Sequence, residues 1–185
     1  MSLFSKPNAI VYVRRGGLVV AGKKIAPARL TFAPEQVRDL EVLRDESFTE
    51  NLRDFFTEHG LKGKHVLMVL DDSVVFTKSV ALDEDGQPGA IADAFIDQMP
   101  FSPGKRACLR FSQDSKLNIY ATNGQLYLAI AEALDQAGAA KLLAITPAAA
   151  YPSDGSKQQL AAAIQQYIND TSVRANANFQ NAALL

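Results

Sequence analysis

Arg14-Arg15-Gly16-Gly17 is the stretch of this 185-residue chain best suited to hold an anion. Its two guanidinium groups stand beside glycines that let backbone N–H groups converge into a nest. The plainer reading is a hairpin tip with two solvated arginines, and no Gly-Lys-Ser/Thr ending supports a phosphate loop. Asp71-Asp72 and Asp83-Glu84-Asp85 offer hard oxygen ligands for magnesium or calcium. They lack EF-hand spacing, and acids in turns commonly bond their own backbone. Cys108 with His59 or His65 would make a thiol–imidazole pair. Against that, Cys108 falls in an expected strand, where cysteine serves as a small core residue. His59 falls in a last helical turn, where positive charge suits the helix dipole, and His65 opens a strand. No Gly-x-Ser-x-Gly elbow occurs. No residue is therefore assigned to catalysis, to a metal or to a cofactor, and the chain is not expected to be an enzyme.

Composition narrows the classes further. A formal net charge of -1 provides no field drawing the whole molecule to nucleic acid or anionic lipid. Hydrophobic residues at 48% and charged residues at 21% are ordinary for a globular protein able to bury a core without metal or disulfide staples. Cys108 is the only cysteine, which excludes an internal disulfide and fits a reducing cytoplasm. No apolar run reaches membrane-spanning length, and "MSLFSKPNAI" lacks the apolar core of a signal peptide. The expected location is cytoplasmic.

The elements that must position these residues follow from periodicity. "NAIVYV" reads as a strand, and "GLVVAGKKIAPARLTF" as its hairpin partner plus an extension, with Pro27 and Pro34 limiting a long ladder. "SFTENLRDFFTEHG" is a helix, because Phe48, Leu52, Phe55 and Phe56 recur at i, i+4, i+7 and i+8. Ser47 and Glu50 have capping-box spacing, and Gly60 can end the helix in the left-handed conformation. "HVLMVL" is apolar on both faces, as a central strand should be. "VVFTKSVAL" reads as a strand returning across Asp71-Asp72-Ser73, with a bulge or bend. A helix is expected from about Ala90 to Met99, ended by Pro100. "KRACLRFSQ" and "LNIYAT" form an antiparallel pair around Asp114-Ser115. "TNGQ" suggests a hairpin, yet Leu126, Ile130 and Leu134 behind it mark a helix, with Thr122 and Gln125 as its box. "KLLAIT" is a last strand. "KQQLAAAIQQYIND" is helix-prone, with a stripe of Leu160, Ile164, Tyr167 and Ile168. This stripe either docks a partner or folds back over the domain's own sheet, and "TSVRANANFQNAALL" is a loose end or a linker toward a membrane segment.

The order of these pieces resembles the N-terminal half of the PilM and GspL-type actin-like proteins, relatives of FtsA, of type IV pilus assembly and type II secretion. "SLFSKPNAIVYV" is similar to the family's opening, and "FTENLRDFFTEHGLKGKHVLMVLDDSVVFTKSVAL" to its helix, Gly-Lys link, strand, turn and strand. "AFIDQMPF" and "YATNGQLYLAIAEALDQAGAAKLLAITPAAAY" resemble later segments, so the likeness runs over residues 3 to 151. The resemblance implies a mixed α/β, partial actin-like fold in residues 1–151. Its N-terminal strands would span 8–32 and an inserted strand-helix-strand-strand type subdomain about 46–146, with a C-terminal helix and tail in 152–185.

Where ATP-binding members carry Asp-hydrophobic-Gly after the first strand, this chain has Tyr12-Val13-Arg14-Arg15-Gly16-Gly17 without the aspartate, and the resemblance covers only the family's first half. The resemblance therefore implies a scaffold that binds a short cytoplasmic segment of an inner-membrane pilus or secretion protein. The expected groove lies between the N-terminal strands and the inserted subdomain, lined by Val11, Val13, Val19, Met99, Pro100 and Phe101. Two alternatives stand beside it: an actin-like ATPase completed by another chain or by further sequence, and a self-assembling structural subunit.

Overall fold

A computed structural model describes residues 7–81, 87–113 and 115–148. In chain order the elements are β1 (Ala9–Arg14), β2 (Gly17–Gly22), β3 (Ile25–Thr31), β4 (Val37–Arg38), β5 (Glu41–Val42), α1 (Asp45–Glu58) and β6 (His65–Leu70). There follow β7 (Phe76–Ala81), α2 (Pro88–Ile96), β8 (Arg106–Gln113), β9 (Lys116–Asn123), α3 (Gly124–Gln136) and β10 (Lys141–Pro147). The main sheet runs β10-β6-β1-β2-β3, and β7-β9-β8 form a second, antiparallel sheet. The architecture is mixed α+β, as expected.

In the main sheet β1 pairs antiparallel with β2 and parallel with β6, and β6 pairs parallel with β10. Each parallel step needs a crossover, and α1 and α3 lie within the two crossovers. Both steps move the same way along the sheet, so right-handed crossovers set both helices on one face. The residues bear this out. Val11, Val13, Val20 and Met68 join Phe48, Leu52, Phe56, Ile130 and Leu134 in one buried cluster. The intervening residues Ile10, Tyr12, Val19, Leu67 and Val69 form a separate cluster on the opposite face. β6 lies between β10 and β1 with apolar side chains buried on both faces, so "HVLMVL" is the central strand that its composition implied.

Five local expectations need correcting. The stretch after β2 is a second hairpin: β3 turns back at Lys23-Lys24, Lys24 taking φ 62, and becomes the sheet edge. Pro27 is tolerated there because an edge strand can spare a backbone donor. α1 begins at Asp45, ahead of the proposed box, and Ser47 Oγ donates to the Arg44 carbonyl at 3.4 Å where it should accept an amide. Asn123, not Thr122, caps α3 by accepting from the Gln125 amide. The Thr122 hydroxyl donates to the buried Val74 carbonyl at 2.6 Å. Finally, "VVFTKSVAL" does not return along β6. A single 3-10 turn at Asp72–Val74 redirects the chain into β7, which pairs with β9 without a register shift. The broken alternation marks a change of sheet, with no bulge. α2 is also shorter than expected, starting with Pro88 in its first turn and stopping at Ile96. Gly60 takes φ 73 just past α1, as its position implied.

Candidate functional site

The arginine–glycine bend is the tip of the β1–β2 hairpin, with Gly16 at φ 76. The Arg15 amide donates to Ser73 Oγ at 3.0 Å, and its guanidinium meets Asp39 at 2.9 Å, both exposed. One amide and one cation of the supposed nest are thus already engaged. Asp71 acts as a turn cap: one carboxylate oxygen accepts from the Ser73 amide and the other from the Tyr12 hydroxyl. Among the described residues no three His, Cys, Asp or Glu side chains gather as metal ligands. Asp83, Glu84 and Asp85 lie outside the described residues, as does the stripe of Leu160, Ile164 and Tyr167.

The thiol–imidazole pair does not assemble. His59 ends α1 with its ring 4.4 Å from that of Phe55, and His65 opens β6. Cys108 lines a small apolar hollow with Leu70, at the far end of β6. Five residue steps of strand carry the chain from His65 to Leu70, about 16 Å of rise. Burial pushes the Cys108 thiol above its usual range, against a smaller opposing pull from Arg110 and with a small push from Asp93. The thiolate fraction near neutral pH is accordingly low. Alkylation by iodoacetamide is expected to be slow at pH 7.5, to climb steeply above pH 9, and to reach ordinary thiol rates in denaturant. A stopped assay at several pH values checks this, and fast labelling with a midpoint below pH 8 would contradict it.

The six residues expected to line a groove are scattered. Val11 and Val13 are fully buried beneath α1 and α3, and Val19 is buried on the opposite face. Met99 and Phe101 are buried in the main cluster, while Pro100 is exposed. Alternation along a strand sends Val19 to the other side of the sheet from Leu18 and Val20. No one surface collects all six.

Besides a polar hollow at the arginine–glycine bend lined by Arg14, Arg15 and Arg29, two hollows present apolar surfaces. The first lies where the main sheet meets the second sheet, between Leu70, Ile145 and Pro147 on one side and Cys108, Tyr120 and Ala121 on the other. Its cavity volume is only about 20 Å³, room for about one water and far below a ligand pocket, and its lining is almost wholly apolar. The second runs between β3 and α1 and has a cavity volume of about 320 Å³. Its floor is Leu30, Phe32, Phe48 and Phe55, with Phe32 and Phe48 packed edge to face at 5.1 Å. The i, i+3, i+7 and i+10 spacing of Phe48, Asn51, Phe55 and Glu58 lays one face of α1 along it. Asn51, Asp54 and Glu58 form an exposed polar rim, with Arg53 bridged to Asp54 at 2.9 Å. Among the described residues no strand lies outside β3, so the groove runs beside an open sheet edge. Sequence reasoning missed it because its walls are separate elements that only the tertiary fold brings together.

No family model and no curated protein matches this chain. Solved structures do. A PilM–PilN type IV pilus biogenesis complex is similar at 14% identity and a TM-score of 0.49, over 77% of this chain and 46% of that one. The cytoplasmic domain of EpsL, an inner membrane component of the type II secretion system of Vibrio cholerae, is similar at 12% identity and a TM-score of 0.49. That match covers 80% of this chain and 60% of the other. A Bacteroides thetaiotaomicron protein with an actin-like ATPase fold and unknown function is similar at 13% identity and a TM-score of 0.40, over 77% and 52% of the two chains. The chain thus spans about half the length of the structures that it matches. The likeness is one of fold.

Proposed function

We propose that this chain is a non-catalytic, cytoplasmic scaffold module of a pilus- or secretion-type assembly. It holds a short extended segment of an inner-membrane partner in the groove between β3 and α1. The single observation that carries the reading is the pairing of an open strand edge with an adjoining aromatic floor. An added strand would gain main-chain hydrogen bonds along β3, while alternate side chains drop onto Phe32, Phe48 and Phe55. Cytoplasmic segments next to membrane spans carry an excess of Lys and Arg, which suits a rim bearing Asp54 and Glu58. This moves the groove from the expected lining to the outer side of the N-terminal strands and keeps the expected mode.

The test is calorimetry with synthetic peptides of the cytoplasmic segments of candidate inner-membrane partners. Saturable heat is expected. Replacing both rim acids (D54K with E58K) should weaken binding about tenfold, equivalent to about 1.4 kcal/mol, and most strongly at low salt. Both residues are exposed, so the fold should be unaffected. Absence of heat, or binding indifferent to the rim, counts against the groove.

A further inference from the structure

The polar hollow at the arginine–glycine bend shares a wall with the aromatic groove, since Leu30 and Thr31 of β3 line both. The strand register shows how the hollow is made. Arg14, Gly17 and Thr31 stand in one row across β1, β2 and β3, and Arg29 is opposite Val19. Tyr12 and Val19 point to the sheet face away from α1, so alternation sends Arg14, Arg29 and Thr31 there too. Gly17 leaves the middle of the row without a side chain, and a Cβ there would meet the Leu30 carbonyl oxygen at 2.4 Å. The result is a cavity of about 150 Å³ with cations around it. Arg15 is bound to Asp39, whereas Arg14 and Arg29 form no ion pair among the described residues.

We infer that the segment held in the groove alternates apolar residues with acidic ones, and that its carboxylates enter this hollow. The inference rests on the groove reading and adds the chemistry of the partner. A strand laid along β3 turns successive side chains to opposite faces. Those on one face reach Phe32, Phe48 and Phe55, and those on the other come beside Arg29 and Thr31. A lysine there would meet like charge, whereas a carboxylate can accept two parallel N–H bonds from a guanidinium. Arg14 stands two strands from Arg29, about 10 Å across the sheet, within reach of the same acid or of a second one. A phosphate cradle fits less well, because it needs free backbone amides. Here the Arg15 amide donates to Ser73 Oγ and the Phe32 amide to the Gly16 carbonyl. The site thus sorts partners by charge twice: basic residues at the Asp54 and Glu58 rim, acidic ones over the hollow.

Calorimetry of the full chain with two designed peptides tests this. Both carry two lysines at one end and leucine at alternate positions of an extended stretch. The intervening positions are glutamate in one peptide and glutamine in the other. The glutamate peptide is expected to bind about tenfold tighter, the order of two exposed ion pairs, with the gap closing at high salt. R14Q with R29Q should abolish the preference and R14E with R29E should reverse it. Both arginines are exposed, so these variants should melt as the parent does. D54K with E58K should weaken both peptides alike and keep the preference. Equal binding of the two peptides to the parent would overturn the inference and leave the groove standing. Binding of neither would overturn the groove and the inference together. Saturable heat from inorganic phosphate or ATP alone, lost in R14Q with R29Q, would make the hollow a small-anion site and overturn the inference too.

Discussion

Phe56→Ala is expected to destabilise the domain by about 3–5 kcal/mol. At about 2–4 °C per kcal/mol for a chain of this size, the melting temperature falls by roughly 10–15 °C. Phe56 is fully buried on α1 and belongs to the cluster that joins α1, α3 and the main sheet. Its removal leaves a void that the surrounding buried cluster, which also holds Leu52, Met68 and Leu134, can fill only in part. Truncation of a ring on the surface should behave differently. Phe76 is 38% exposed and meets Phe101 edge to face at 5.7 Å, so Phe76→Ala should cost well under half as much. Thermal melts of the two variants beside the parent decide the matter. Equal losses would mean that α1 does not anchor the core.

Gly22→Ala should be comparably damaging for the opposite reason. A Cβ at Gly22 would sit 2.4 Å from the Asn8 carbonyl oxygen and 2.8 Å from Ala9 Cα. Both atoms are backbone, and that backbone is fixed. The Asn8 carbonyl accepts from the Lys23 amide at 2.8 Å, and the Asn8 amide donates to the His65 carbonyl at 3.0 Å. The His65 amide in turn donates to Asn8 Oδ1 at 2.9 Å. Relief requires moving β2 away from β1 or β1 away from β6. About 3 kcal/mol or more is expected, the upper range for overpacking. Chemical denaturation measures it. A loss below about 1 kcal/mol would show that the first hairpin is far looser than its register. Gly16→Ala, at a tip where an added Cβ meets no neighbour within 4 Å, bears only the strain of φ 76 and serves as the control.

Much of the fold was legible in local pattern. The aromatic stripe of α1, the doubly apolar β6, and the helix hidden behind "TNGQ" all depend on residues within one or two turns of each other. Capping-box spacing misled twice, because a hydroxyl takes whichever partner the tertiary fold brings near. Ser47 lies inside the first turn of α1, with its carbonyl and hydroxyl taken up by the Gln36 amide, and Thr122 bonds a carbonyl 48 residues away. β7 was misplaced because the choice of a pairing partner is non-local: apolar texture marks a strand but not its sheet. The site was the least legible part. Val11, Val13 and Val19 looked like a lining because they are apolar and adjacent, which core positions also are. Leu30, Phe32 and Phe55 carry no mark that sets them apart from other core residues until β3 is seen to be an edge.

A partner segment paired with the β3 edge would shield that strand's amides, which hydrogen exchange of the chain with and without the cytoplasmic peptide would read. New protection is expected in Ile25–Phe32 and along the Phe48–Glu58 face of α1, with β7 and β8 unchanged. Protection confined to β7, β8 or the hollow around Leu70 and Cys108, with none in β3, would contradict it.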